Sequence, residues 1–259
     1  MIYGLYLSAQ GADAQSTQLD VISNNLANAQ TSSFKRDLAL FQARQPHDVR
    51  KGIEGDVPGN VNNSTGGVEV SGVVTDYSQG PLLKTDSPLD VALTGPGFMQ
   101  VEADGQTLLT RNGSLAINEI GQLVTASEGH TVLDSSGGSI EIPPDAARVE
   151  ITPDGLVAAL DQQGARLDVG QLGLVEPESY HELIKHGNSL YESLGETIPV
   201  VRDDPAAAEF RQGFLEGSGT QSVTEMMRLI ETSRAFETNI NMIKYQDDAL
   251  GQLLQVVAR

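Results

Sequence analysis

The chain has 259 residues, carries 16 Lys and Arg against 35 Asp and Glu, and contains neither Cys nor Trp. A net charge of −19 repels phosphate backbones and makes nucleic acid a poor partner; the lack of Cys removes disulfides, thiol nucleophiles and thiolate metal sites together. No run approaches about 18 apolar residues, so no membrane span is expected, and Met1–Tyr6 lacks the basic region and apolar run of a cleaved signal peptide.

At the N-terminus, Leu5, Ala12, Leu19 and Leu26 recur every seven residues, with Ile22 and Ala29 flanking the same stripe. This spacing predicts one apolar helical face, with no Pro to interrupt it before Pro46. Thr31-Ser32-Ser33 supplies residues that end a helix. Residues 45–75, with Gly52, Gly55, Pro58 and Gly59, read as an extended connector.

Beyond residue 76 the period changes to two. Phe98–Glu102, Thr107–Arg111 and Ser114–Asn118 alternate or run as short strands, punctuated by Asp104-Gly105 and Asn112-Gly113. Such dipeptides between alternating runs are hairpin signals. Ile140–Ile142 and Val149–Ile151 continue the pattern, so residues 76–195 are expected to form an antiparallel β domain.

The C-terminal segment returns to helical spacing. Leu229, Phe236, Ile243, Leu250 and Val257 hold one heptad position, and Met226, Ser233, Ile240, Asp247 and Leu254 a companion position. At about 1.5 Å per residue, Val223–Val257 would reach roughly 52 Å. The expected fold class is α+β: a discontinuous, coiled-coil-like helical domain from both termini plus a central antiparallel all-β domain. Its parts are residues 1–33 with 218–259 (helical assembly domain), 34–75 with 196–217 (extended connector) and 76–195 (β domain).

Charge follows the same division. Residues 1–44 are net neutral and 218–259 carry −1, which leaves −18 on the middle. Nearly neutral ends can pack against copies of themselves, while an acidic centre faces water. A solvated acidic domain with ordinary ends is the plainer alternative.

Catalytic chemistry finds little support. His181 and His186 are five apart, a spacing that does not place both on one helical face. Thr94-Gly95-Pro96-Gly97-Phe98 lacks the Lys-Ser/Thr of a phosphate loop, and a strand follows it. Asp104, Asp134 and Asp154 sit in turns with no calcium-loop pattern. No catalytic residue, metal ligand or cofactor is assigned.

Several segments carry a resemblance. Asp20-Val21-Ile22-Ser23-Asn24-Asn25-Leu26-Ala27-Asn28, followed by Thr31 and Phe34-Lys35-Arg36, resembles the N-terminal signature of bacterial flagellar rod and hook proteins. Ser87–Leu93, Gly95–Phe98, Thr110-Arg111-Asn112-Gly113-Ser114 and Gly121–Thr125 are similar to the family's β domain. Gly213–Ser218, Met226-Met227 and Ser233–Glu237 are similar to its C-terminal helix and the approach to it. The resemblance covers nearly the whole chain in the expected order, is weak over 45–75, and departs at Ser32-Ser33, where the family usually has Gly before the Phe.

The resemblance implies a structural subunit, not an enzyme, that builds a hollow periplasm-crossing shaft of the basal body. Its implied partners are copies of itself, other rod and hook axial proteins, and the flagellar type III export apparatus, with no cleaved signal. The short β domain suits the rod better than the hook. Leu215-Glu216-Gly217-Ser218 favours the proximal rod, and the long connector favours the distal rod. A stalked hydrolase or an adhesin-like β module are the readings from other classes. The implied assembly motif is Asn24, Asn25, Leu26, Ala27 and Asn28. The helix seams are Leu5, Ala12, Leu19, Ile22 and Leu26 at one end, and Met226, Leu229, Phe236, Ile240, Ile243, Leu250, Leu254 and Val257 at the other. A lone helix pair of this kind is marginal, so neighbouring subunits are expected to complete its burial.

Overall fold

The computed structural model describes residues 2–44, 67–200 and 208–257. It divides into two compact units. One comprises Met1–Ala29, Arg36–Asp76 and Thr220–Arg259; the other comprises Gln30–Lys35 and Tyr77–Gly219. The chain is α+β, with a long helix near each terminus and an extensive antiparallel β region.

The first unit contains α1 (Ile2–Ala27), α2 (Ser222–Val257) and the antiparallel pair β1 (Asp37–Ala43) and β2 (Val68–Thr75). The pairing runs from Asp37↔Thr75 to Ala43↔Val68, with a bulge between Leu40 and Phe41. A two-stranded ribbon is marginal in water by itself; this one packs on α1. Thus the stretch 34–75, expected as an extended connector, contains a paired ribbon. Residues 45–66, the centre of that stretch, lie outside the described residues.

The second unit is built from β3 (Leu82–Lys84), β4 (Val91–Thr94), β5 (Phe98–Ala103), β6 (Gln106–Thr110), β7 (Leu115–Ile117), β8 (Leu123–Thr125) and β9 (Thr131–Val132). Then follow β10 (Arg148–Ile151), β11 (Leu156–Leu160), β12 (Arg166–Gln171), β13 (Leu174–Pro177), β14 (Leu183–Gly187), β15 (Leu190–Ser193), β16 (Thr197–Pro199), β17 (Glu209–Gln212) and β18 (Phe214–Glu216). Among the described residues, the largest sheet has the order β14-β15-β6-β5-β9-β8-β7, with β13 on β5 and β16 on β13, and β10-β11-β12 form a second sheet. β17 pairs with β4 and β18 with β3. Residues 208–216 therefore close this unit instead of merely leading to the C-terminal helix.

Its core joins Val91, Leu93, Met99, Val101, Leu123, Val132, Ile140, Leu172 and Phe210, each nearly inaccessible. A second cluster packs Phe98 against Tyr191, with ring centroids 5.5 Å apart. Asp104 and Gly105 both take positive φ, 52° and 75°, and make the tight β5–β6 turn that the sequence signals. Asn112-Gly113 does something else. Gly113 O accepts from Val91 N at 2.9 Å, so this dipeptide sets β7 beside the start of β4 instead of folding β6 onto β7.

Candidate assembly surface

α1 and α2 run antiparallel. Gly4 faces Gln246 and Gly11 faces Asn239, whose Nδ2 donates to Gln15 Oε1 at 2.9 Å. On α1, Ala12 and Ile22 are buried, and Leu5, Leu19 and Leu26 half-buried. On α2, Leu229, Phe236, Ile240, Ile243 and Leu250 are half-buried. Met226 and Leu254 are exposed, and the Val257 side chain lies outside the described residues. The row at Leu229 has two flanks, one through Met226 and one through Glu225 and Thr232. α1 covers the second, burying Glu225 and Thr232 and leaving Met226 in solvent.

The motif residues divide in the same way. Asn25 is 2% exposed; its Nδ2 donates to Asp37 O at 2.8 Å and its Oδ1 accepts from Asp37 N at 2.9 Å. One amide side chain thereby satisfies both backbone groups at the start of β1 and fixes the ribbon to the helix. Asn28 Nδ2 donates back to Asn24 O at 2.9 Å, closing the last turn of α1. Asn24 and Ala27 are exposed, and Leu26 is half-buried.

A second, interrupted apolar stripe remains open along α2, broken between Ile230 and Met242 by the exposed Arg234, Thr238 and Asn241 of the same face. Val223, Met227, Ile230, Met242, Tyr245, Leu253 and Val256 are all exposed, Tyr245 by 71% and Val256 by 73%. A helix with apolar side chains on two faces requires two sets of neighbours.

The second unit ties its entering and leaving strands together with buried charges. Lys35 Nζ lies 2.6 Å from Glu216 Oε1 and donates to Ser78 O at 2.8 Å. Gly80 N also donates to Glu216 Oε1, at 2.8 Å, and the Arg111 Nη1 stands 3.6 Å from Glu216 Oε2. Arg111 caps the carbonyls of Gly97 and Gly95 through Nε and Nη2, its guanidinium over the Phe98 ring at 5.2 Å. Ser33 adopts φ 58°, its N–H donating to Glu216 O and its hydroxyl to Arg111 O at 2.7 Å. The turn thus places Ser33 in the left-handed region that glycine adopts without steric cost. The Ser33 hydroxyl bond supports the same sharp turn here. Lys35, Arg111 and Glu216 are 1–3% exposed, so this cluster braces the fold and is closed to any substrate. Its importance was not legible beforehand, although all three residues lie in segments that carry the resemblance.

Among the described residues, no group of three His, Asp or Glu is placed to hold a metal ion, and no helix is long and apolar enough to cross a membrane. Three family models match in chain order: a flagella basal body rod protein model over residues 5–35, a flagellar hook protein FlgE/F/G D1 domain over 92–159, and a flagellar basal body rod FlgEFG protein C-terminal model over 211–256. The flagellar basal-body rod protein FlgG of Buchnera aphidicola from Schizaphis graminum is 36% identical over 99% of this chain and 100% of its own length.

The chain belongs to the flagellar basal-body rod protein family.

Other relatives agree. FlgF of Caulobacter vibrioides is 37% identical over 87% of the chain and 86% of that protein, and FlgG of Bacillus subtilis is 32% identical over 99% of each. The rod family is structural, so this subunit is a non-enzymatic component of the flagellar basal body and acts in cell motility. The N-terminal rod model covers most of α1 and the Ser33 turn; the C-terminal model covers Glu216, β18 and nearly all of α2. The helix pair and the Lys35–Glu216 tie therefore lie in the matched ends of the chain.

Proposed function

We propose that this rod subunit polymerises through its terminal helices, as a discontinuous coiled-coil-like domain, into the hollow drive shaft that crosses the periplasm. The supporting observation is the second apolar stripe on α2, from Val223 to Val256, which stays exposed while the opposite face is packed on α1. The partners are further copies and other rod and hook axial proteins. The acidic middle faces solvent, and delivery is by the flagellar type III export apparatus without signal cleavage. The assembly residues are Asn24–Asn28 and the two helix seams, supplemented by the exposed stripe.

Leu215-Glu216-Gly217-Ser218 favours a proximal position, and the long stretch before β2 supports the distal alternative. The test is replacement of Met242 and Tyr245 by Asp in the native locus. The monomer is expected to keep its far-ultraviolet spectrum and thermal midpoint while swimming is lost and basal bodies lack a complete rod. Normal swimming would remove the stripe from the interface. Gold labelling of the subunit in purified basal bodies decides its position along the rod.

A further inference from the structure

The face of α2 that meets α1 alternates at steps of four and three: Glu225, Leu229, Thr232, Phe236, Asn239, Ile243, Gln246, Leu250. Every second member is apolar, and the members between them are polar at intervals of seven. Glu225 and Thr232 are buried at 2% and 7%, and Asn239 and Gln246 are half-buried. These polar positions have their own partners on α1, also at intervals of seven. Gly4 lies under Gln246 and Gly11 under Asn239. The same register sets Gln18 opposite Thr232 and Asn25 opposite Glu225; Gln18, Asn25 and Glu225 line one cavity of about 230 Å³.

We propose that these four polar layers encode the register of the α1–α2 pair, and so determine at what height along the helix the outer apolar stripe is presented. The apolar row alone cannot do this. Leu229, Phe236, Ile243 and Leu250 repeat every seven residues, so a slip of one heptad, about 10 Å along the axis, buries a nearly equivalent set. The polar layers are not equivalent. A Cβ at Gly11 would stand 3.0 Å from Asn239 Nδ2, and one at Gly4 3.2 Å from Gln246 Nε2, so each amide occupies room that a glycine leaves. A slip in one direction sets Asn239 against Gln18 and breaks its bond to Gln15. A slip in the other moves the Glu225 carboxylate out of the cavity it lines with Asn25, whose two bonds to Asp37 hold it in place, and sets it against Gln18. At the Asn239 layer a misalignment leaves a donor without its partner; at the Gln246 layer, whose Oε1 has no hydrogen-bond partner, the discrimination is by shape, through the room over Gly4. Two glycines inside α1 weaken it as a helix, and the close approach of the two amides accounts for them.

This inference depends on the helix pair and not on the rod reading, and its test uses the free full-length chain. The absence of native Cys allows spin labels at Asp13→Cys and Glu237→Cys, both exposed positions near the Gly11–Asn239 layer. Electron–electron distance measurement is expected to give one narrow distribution. In the same labelled chain carrying Asn239→Leu and Gln246→Met, which remove the amides at similar side-chain length, a second population at longer distance is expected, the axial slip of about 10 Å adding in quadrature to the parent separation, with helix content by circular dichroism retained. Asn239→Leu alone is expected to give a smaller displaced fraction. An unchanged single distribution in the double variant, a broad distribution in the parent, or loss of helix content in both variants would overturn the assignment.

Discussion

Lys35 and Glu216 stand 181 positions apart in sequence and meet at 2.6 Å, each side chain 1% exposed. Two full charges are taken out of water at the point where the chain enters the β unit and where it leaves it. Arg111 adds a second cation, so the lone carboxylate is flanked by two positive groups. Removing one partner from such a pair strands the other, whereas removing both does much less harm.

Glu216→Gln is therefore expected to destabilise the β unit by about 3–5 kcal/mol, read from chemical denaturation followed by the near-ultraviolet signal of Tyr191 and its neighbours. Lys35→Met with Glu216→Leu should cost less than the sum of the two single changes. Strict additivity would show that the ions act independently.

Asn25 and Asn24 should behave oppositely. Asn25→Ala removes the two hydrogen bonds between this side chain and the half-buried Asp37 backbone and should cost about 0.5–1.5 kcal/mol for each, lowering the thermal midpoint of the helical unit. Asn24 is exposed, and Asn24→Ala should leave that midpoint within error. A motility defect in Asn24→Ala would then point to a neighbouring subunit.

Gly113 has no room for a side chain. A Cβ there would stand within bonding distance of the Val91 carbonyl oxygen, and the Val91–Gly113 hydrogen bond holds the start of β4. Gly113→Ala should cost about 1–3 kcal/mol or more through forced backbone shifts, measurable as faster amide exchange at Val91 and Leu115.

The Asp134 carboxylate is held below the ordinary range, foremost by the Ser136 hydroxyl and, against the opposing effect of burial, by the backbone N–H groups of Gly138, Ser136 and Gly137. A lowered folded value means that the stabilisation is present above the unfolded pKa and is lost as pH falls through the folded one. Acidification below about pH 4 should loosen the 134–138 turn first, followed by amide chemical shifts. In Asp134→Asn this turn should show no such acid transition.

Self-association should strengthen as salt rises from low ionic strength, because the −18 carried by the middle of each chain repels its copies and screening relieves that repulsion. Light scattering against ionic strength at neutral pH checks this; a steady weakening with salt would show that attraction between charges dominates.

The two terminal helices, the β-rich middle and the Asp104-Gly105 turn were legible in the sequence because each is written in short-range periodicity or in two adjacent residues. The rod resemblance was legible as an ordered series of local motifs. What the sequence could not show is which flank of a helical row a partner would cover. Met226 and Glu225 are adjacent, and hydrophobicity favours Met226; packing against α1 buries Glu225 instead. The β1–β2 ribbon was hidden because its strands are separated by a long Gly-rich interval, and pairing across such an interval has no local signature. The burial of Lys35, Arg111 and Glu216 has no local signature either, since burial of a charge becomes tolerable only once its counterion arrives from a distant part of the chain. Local periodicity thus determined the elements, while their partners depended on long-range contacts, whose energy exists only when the folded surfaces meet.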